Sequence, residues 1–231
     1  LYEFESLDFE VRSVTERMQV ACNLAAAVNN LHRAGHYFVD LKPQNMAIYK
    51  GVGLVLFMDC DGFSISKGQF PARHFSPGYI APEAIKHKST PEQISDTPYQ
   101  DYYALSVLIF QLLDFGNVPF SGRILDDSLS TEEDHSTDNK AKLGLYPYGL
   151  NPNPSVEPSA GSIYKYIPTE IRTYFDRAFT GDSTKRPTAK EWFKLLKGFM
   201  EDWRFEKCDA YPDDPFHHHF KGMDCFACQI G

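Results

Sequence analysis

The sequence predicts a mainly α-helical domain carrying one small antiparallel β-hairpin. Apolar residues recur at helical spacing over four segments, and two short β-prone runs flank a glycine-containing turn. The 231 residues are 42% hydrophobic and 14% aromatic, enough for one large domain or two small ones with a substantial core. That composition excludes a disordered chain, a collagen-like chain and a disulfide miniprotein.

The first helix is predicted over 12–35, where Val14, Met18, Ala21, Ala25, Val28 and His32 repeat at steps of three or four and Gly35 follows as a stop. The runs 46–49 and 54–59 form the hairpin around the turn Lys50–Gly53. Residues 60–82 hold Gly, Pro, Ser and Phe without periodicity and read as a long irregular segment, which in a compact domain is usually functional. Residues 101–114 are apolar almost all round, the mark of a helix buried through the domain centre. Residues 123–161 begin with Asp126, Asp127, Glu132, Glu133, Asp134 and Asp138 and continue into a Pro/Gly/Asn/Ser-rich run, so they are expected to be a mostly exposed insertion. Helices resume over 168–181 and 187–203, the second with Pro187 in its first turn.

The net charge of −8 comes from 31 acidic against 23 basic residues. It argues against generic nucleic-acid binding, which needs a basic face. The longest strongly apolar stretch, Tyr102–Leu113, is too short to span a bilayer. No signal-peptide pattern opens the chain, and its first residue is Leu1, so it is expected to start partway through a longer gene product. Five cysteines cannot form a complete internal disulfide framework. Cys22 and Cys60 lie singly in apolar segments, while Cys208, Cys225 and Cys228 crowd the tail. These features favour a reducing, cytoplasmic setting.

The chemistry concentrates in residues 37–63. Asp40, Lys42 and Asn45 lie on the loop leading into the hairpin, and Asp59 ends the hairpin's second strand. Phosphoryl transfer to a hydroxyl needs a carboxylate to orient the hydroxyl and take its proton. It also needs a cation to balance charge on the moving phosphoryl, and oxygen ligands for Mg²⁺. Asp40, Lys42 and the pair Asn45/Asp59 can supply these in that order, because hairpin closure brings Asn45 and Asp59 together. At about 5% usage per residue type, Asp-x-Lys-x-x-Asn arises at roughly one position in 8,000. Taken alone, the same residues also serve a helix-to-hairpin turn.

This stretch resembles the catalytic loop and metal-binding strand of the protein kinase superfamily. The resemblance continues in register to residue 200. Gly78-Tyr79 with Ala81-Pro82-Glu83 is similar to the close of the kinase activation segment, and Asp101 leads a run resembling the buried helix beneath the catalytic loop. Pro119-Phe120-x-Gly122 resembles the turn after that helix, and Lys185-Arg186-Pro187-Thr188 the late Arg-Pro signature. The resemblance implies a kinase-like C-terminal lobe over 1–203, in which Asp101 hydrogen-bonds the catalytic-loop backbone and Arg186 pairs with Glu83. It further implies Asp40 as catalytic base with Lys42, and Asn45 and Asp59 as holders of Mg²⁺ and ATP, with Asp61 the alternative ligand. There are departures. The Gly-rich loop and strand lysine of the nucleotide-covering N-terminal lobe are absent from this chain, and Leu1–Leu7 matches the region just after the hinge between kinase lobes. Phe38-Val39-Asp40 replaces the usual His-Arg-Asp, which removes the guanidinium that pairs with a phosphorylated activation loop.

In the tail, 204–231, Cys208, three histidines and Cys225-x-x-Cys228 match a tetrahedral Cys₃His zinc site in ligand type. Cys208, Cys225, Cys228 and His218 are the expected ligands, with His217 or His219 possible in place of His218. Similar tails occur in a group of bacterial kinase-like proteins, which the Leu24–Ala27 and Asp59–Asp61 stretches also resemble. Such a site would be structural. The expectation is a Ser/Thr protein-kinase-like phosphotransferase lobe. It would act on a protein hydroxyl with Mg-ATP once completed by a nucleotide lobe, and would be inactive alone, with neither nucleic acid nor membrane as partner. The competing reading is a non-catalytic pseudokinase or scaffold module.

Overall fold

A capping box opens helix α1 (Val14–Arg33), which follows the short strand β1 (Phe4–Ser6). Ser13 Oγ accepts the Glu16 N–H at 3.3 Å, and the Glu16 carboxylate accepts the Ser13 N–H at 3.0 Å, so two otherwise unpaired donors are satisfied reciprocally. The structure, a computed structural model, describes residues 4–6, 13–49, 51–126, 129 and 136–230. The expectations for Leu1, Leu7, Lys50, Asp127, Glu132, Glu133 and Asp134 lie outside the described residues.

Strands β2 (Met46–Tyr49) and β3 (Leu54–Phe57) form the expected hairpin, paired Met46 to Phe57 and Tyr49 to Leu54. β1 adds a third strand, Phe4 opposite Tyr49, in the order β1-β2-β3. Three residues are too few to show a period, and no strand was expected there. Helix α2 (Pro82–His87) starts on Pro82, and α3 (Tyr99–Leu113) runs through the centre with every residue from Tyr103 to Leu113 buried. α1 packs across both α3 and α6 (Ala189–Glu201). α6 has its own capping box from Thr188 and Glu191, which puts Pro187 just before the cap rather than in the first turn. Phe110 of α3 meets Tyr148 and Phe175 edge-on at 5.1 Å and stacks near Tyr164, forming the aromatic centre of the core. No helix among the described residues is long and apolar enough to cross a membrane.

The described part of 123–161 differs from the exposed insertion expected of it. β4 (Arg123–Ile124) pairs with β5 (Val156–Glu157), and α4 (Thr137–Leu143) packs on α2. Ala141, Leu145, Tyr146, Tyr148 and Val156 are buried. Burial of two tyrosines is possible because their hydroxyls are paired, Tyr146 with Tyr164 and Tyr148 with Ser121. Polar composition hid this, since few apolar residues at well-chosen positions suffice to dock a short segment. Helix α5 (Thr169–Phe179) completes the helical body. In the tail, β6 (Phe205–Glu206) pairs with β7 (His219–Phe220), and α7 (Phe226–Ile230) ends the described chain.

Candidate active site and tail metal centre

The loop between α1 and β2 is built around a strained turn. Val39 has φ 58°, and the Asp40 N–H bonds back to the Phe38 carbonyl at 2.6 Å. A positive φ at a β-branched residue is costly and persists only where its surroundings over-determine it. The fully buried Asp101 carboxylate, at the start of α3, does so here. It accepts the Phe38 N–H at 2.7 Å, the Val39 N–H at 2.8 Å and the His32 Nε2 at 2.8 Å. Below the turn, the Phe38 ring packs between Phe57 and Phe63 with centroids 4.2 and 4.4 Å away.

The turn presents Asp40, which is only 6% exposed. Its Oδ2 accepts from Lys42 Nζ at 2.8 Å and from Asn45 Nδ2 at 3.3 Å. Its Oδ1 is buried with no hydrogen-bond partner. A buried carboxylate oxygen without a donor costs free energy unless it is reserved for something outside the chain. Lys42 Nζ also donates to Ser76 Oγ at 2.6 Å, joining this loop to the segment before α2. Asn45 Nδ2 donates to the Asp40 carbonyl as well, at 3.0 Å, which leaves its Oδ1 as a ligand atom.

Asp59 arrives from the other strand. The Met58 N–H bonds the Asn45 carbonyl at 2.8 Å, so Asp59 stands one residue from Asn45's backbone. It has φ 56° and caps the turn Cys60–Gly62, its Oδ1 taking the Asp61 N–H at 3.4 Å. Asp59 and Asp61 are both exposed. The turn then folds against the loop that carries Asp40, and a Cβ on Gly62 would lie 2.7 Å from the Asp40 Cβ, so a side chain there would push Asp40 away. The structure thus gathers Asp40, Lys42 and Asn45 by direct contact and sets Asp59 beside them through the backbone.

Two participants escaped sequence reasoning. Ser76 lies in the aperiodic segment 60–82, and nothing in its neighbours marks it as the partner of a lysine 34 residues away. His32 was assigned to the apolar stripe of α1, yet its ring bonds Asp101. A polar ring on a buried stripe opposite an acidic residue was the available signal. Glu83 and Arg186 meet as a bidentate pair at 2.5 and 2.7 Å, with the Arg186 side chain 4% exposed. The pair ties α2 to the turn before α6.

Among the described residues, the group of metal-ligating side chains whose donor atoms lie within 4.8 Å of one another is Cys208, His217, Cys225 and Cys228. Cys208 Sγ lies 3.5 Å from Cys228 Sγ, and His217 Nδ1 lies 3.4 Å from the Sγ atoms of Cys225 and Cys228. A zinc tetrahedron with bonds of about 2.3 Å to sulfur and about 2.0 Å to nitrogen has edges of roughly 3.8 Å between sulfurs and roughly 3.5 Å from sulfur to nitrogen. The donor set fits such an ion. His217 takes the place expected of His218 because the tight turn Pro215–His217 aims it inward. His219 instead bonds the His217 carbonyl and faces Glu206. Burial works against ionising Cys208, but N–H groups of Tyr211 and Ala210 and the Cys228 thiol bring it down to about 7. Phe216 and Phe226 pack on Phe115 just beyond α3, at the end opposite Asp101. The Cys/His cluster is therefore remote from Asp40.

Residues 7–195 match the family model of the protein kinase domain. Over 225 residues, 92% of this chain, the sequence is 27% identical to protein kinase YegI of Escherichia coli (strain K12), covering 32% of that protein. It is 36% identical over 111 residues to human cGMP-dependent protein kinase 2, 47% of this chain and 13% of the relative. It is 28% identical over 146 residues to ribosomal protein S6 kinase alpha-6 of Danio rerio, 62% of this chain and 18% of the relative. The chain spans about a third of the length of the Escherichia coli relative and less of the other two.

Proposed function

Because the chain belongs to the protein kinase family, we propose that it is the acceptor-side lobe of a Ser/Thr protein-kinase-like phosphotransferase, moving the ATP γ-phosphoryl to a protein hydroxyl. The observation that carries this reading is the partnerless Asp40 Oδ1 beside an Oδ2 held by Lys42 and Asn45. A substrate hydroxyl donating to Oδ1 is oriented for attack and loses its proton there as its oxygen bonds to the γ-phosphorus and the bond to ADP breaks. Lys42 balances charge beside the transferring group and keeps Ser76 close. Asn45 Oδ1 and the exposed Asp59 carboxylate are suited to Mg²⁺, a hard cation that takes oxygen ligands. Bound there, Mg²⁺ would neutralise phosphate charge.

An apolar stripe supports the need for a second, nucleotide-covering lobe. Leu54, Leu56 and Met58 are 54%, 43% and 46% exposed on the edge strand that leads straight into Asp59. Without that cover the lobe is inactive. A docking-only scaffold is less well supported, since it has no use for a strained Val39 or a reserved carboxylate oxygen. The tail is read as a structural zinc site of Cys208, His217, Cys225 and Cys228 that fastens the chain's end under α3. The test is transfer of labelled phosphate from ATP to a protein acceptor, by this lobe joined to a nucleotide-covering lobe. Asp40→Asn should slow it by about 10²–10⁴-fold; a change under threefold would refute the assignment of Asp40.

A further inference from the structure

The structure assigns Asp138 a positioning role on the acceptor side of the catalytic patch, clamping the loop that carries Ser76; the inference rests on the phosphotransfer reading above. The loop Ser76–Ala81 is held at four points. Lys42 holds Ser76 at 2.6 Å. Gln100, at the start of α3, grips the backbone on both sides of Ile80, donating to the Tyr79 carbonyl at 2.7 Å and accepting the Ala81 N–H at 2.9 Å. The Tyr79 hydroxyl donates to Gln111 at 3.1 Å. The fourth point is the Gly78 N–H, which donates to Asp138 Oδ1 at 2.8 Å.

The first three anchors come from the catalytic loop and α3. Asp138 comes from α4, in the segment whose composition suggested a passive insertion. Gly78 has φ +85°, and a Cβ there would meet nothing within 4 Å. Its glycine thus serves the backbone turn and not a crowded contact, and the turn's N–H needs an acceptor. α4 is a fixed support for that acceptor. Ser136 Oγ caps it by accepting the Asn139 N–H at 3.1 Å, and the buried Lys140 side chain reaches back to the Gly122 carbonyl at 2.8 Å. Asp138 is itself half-buried, and burial pushes its carboxyl above the usual range while the Gly78 N–H pulls it down. A partly desolvated carboxylate with one backbone donor is an interaction that water does not readily replace.

The consequence is mechanical. A shift of α4 moves Gly78, two residues from Ser76, and Ser76 shares its lysine with Asp40. Asp138 therefore acts through Ser76 and Lys42 and does not itself touch the reacting groups.

Amide hydrogen exchange on this chain tests the role without relying on phosphoryl transfer, so its failure is distinguishable from failure of the kinase reading. In Asp138→Ala, exchange at Gly78 and Tyr79 should accelerate about tenfold, the loss of one charge-assisted bond. Val39 and Asp40 should stay unchanged, and the melting temperature should fall by no more than about 3–6 °C, which is what a tenfold loss (about 1.4 kcal/mol) amounts to in a chain of this size. Asp138→Asn keeps an acceptor oxygen and should restore exchange to within about threefold of the parent chain. Unchanged exchange over 76–81 in Asp138→Ala would overturn the inference. So would acceleration spread evenly over α2–α4 with a fall in melting temperature beyond about 6 °C, or an Asn variant indistinguishable from Ala.

Discussion

Replacing Asp101 with alanine removes the support of the strained turn that presents Asp40, and the structure sets the size of the effect. Two buried backbone donors, Phe38 N–H and Val39 N–H, lose their acceptor, as does the His32 ring. Each orphaned buried donor costs about 1–3 kcal/mol. Relaxation of Val39 from φ 58° returns part of this, because a strained backbone position holds of order 1–3 kcal/mol. The net expectation is a loss of about 3–5 kcal/mol, within the range for exposing uncompensated buried polar groups. With a urea m-value near the upper end, about 3 kcal/mol/M for a chain of this size, the unfolding midpoint should fall by about 1–1.7 M. Asp101→Asn keeps one acceptor oxygen but turns an NH₂ toward a donor, so it should recover less than half of the loss. Urea unfolding followed by tryptophan fluorescence reads the shift, Trp192 of α6 being fully buried against Ser106 of α3, the helix that carries Asp101. A loss under about 1 kcal/mol in the alanine variant would show that the turn does not depend on this carboxylate.

Other expectations follow from the buried groups. Asp114 is buried at the end of α3, accepting from Ser162 Oγ at 2.7 Å and the Ile163 N–H at 2.6 Å, and burial pushes its carboxyl up to about 7. Because the folded pKa lies above the unfolded value of about 3.9, the stability it contributes is full below about pH 4 and is lost as pH rises through about 7. Asp114→Asn should flatten the fall in stability between those pH values, measured by urea midpoints; an unchanged slope would contradict the shift. For the tail, metal analysis of the purified chain should find about one zinc per chain, and chelation should lower the melting temperature, with Cys225→Ser removing both the metal and the chelator's effect. Less than half an equivalent in the parent chain would retire the zinc site.

What the sequence made legible follows from the range of the forces involved. Helices α1, α3, α5 and α6 announce themselves because each buries a continuous stripe, and the β2–β3 hairpin because its turn is local. The cluster of Asp40, Lys42 and Asn45 is legible because one loop of six residues carries it. The Glu83–Arg186 pair was accessible only through resemblance, since more than a hundred residues separate its partners. Ser76, His32 and Asp138 stayed hidden for a related reason. Each makes one polar contact across tens of residues, and a single serine, histidine or aspartate has no periodicity to betray its partner. The choice among His217, His218 and His219 was likewise invisible, because a tight turn and not composition decides which ring faces the cysteines. The packing of Tyr146 and Tyr148 was missed because turn-forming residues around them dominated the composition.

The most direct test of the catalytic patch is paramagnetic broadening by Mn²⁺ with ATP, followed by amide NMR of this chain. Convergence at the patch requires the signals of the Asn45 side-chain amide and of residues 59–61 to broaden first, with Asp59→Asn abolishing the effect. Broadening that leaves residues 45 and 59–61 untouched while other carboxylates respond would contradict a shared magnesium and phosphate site.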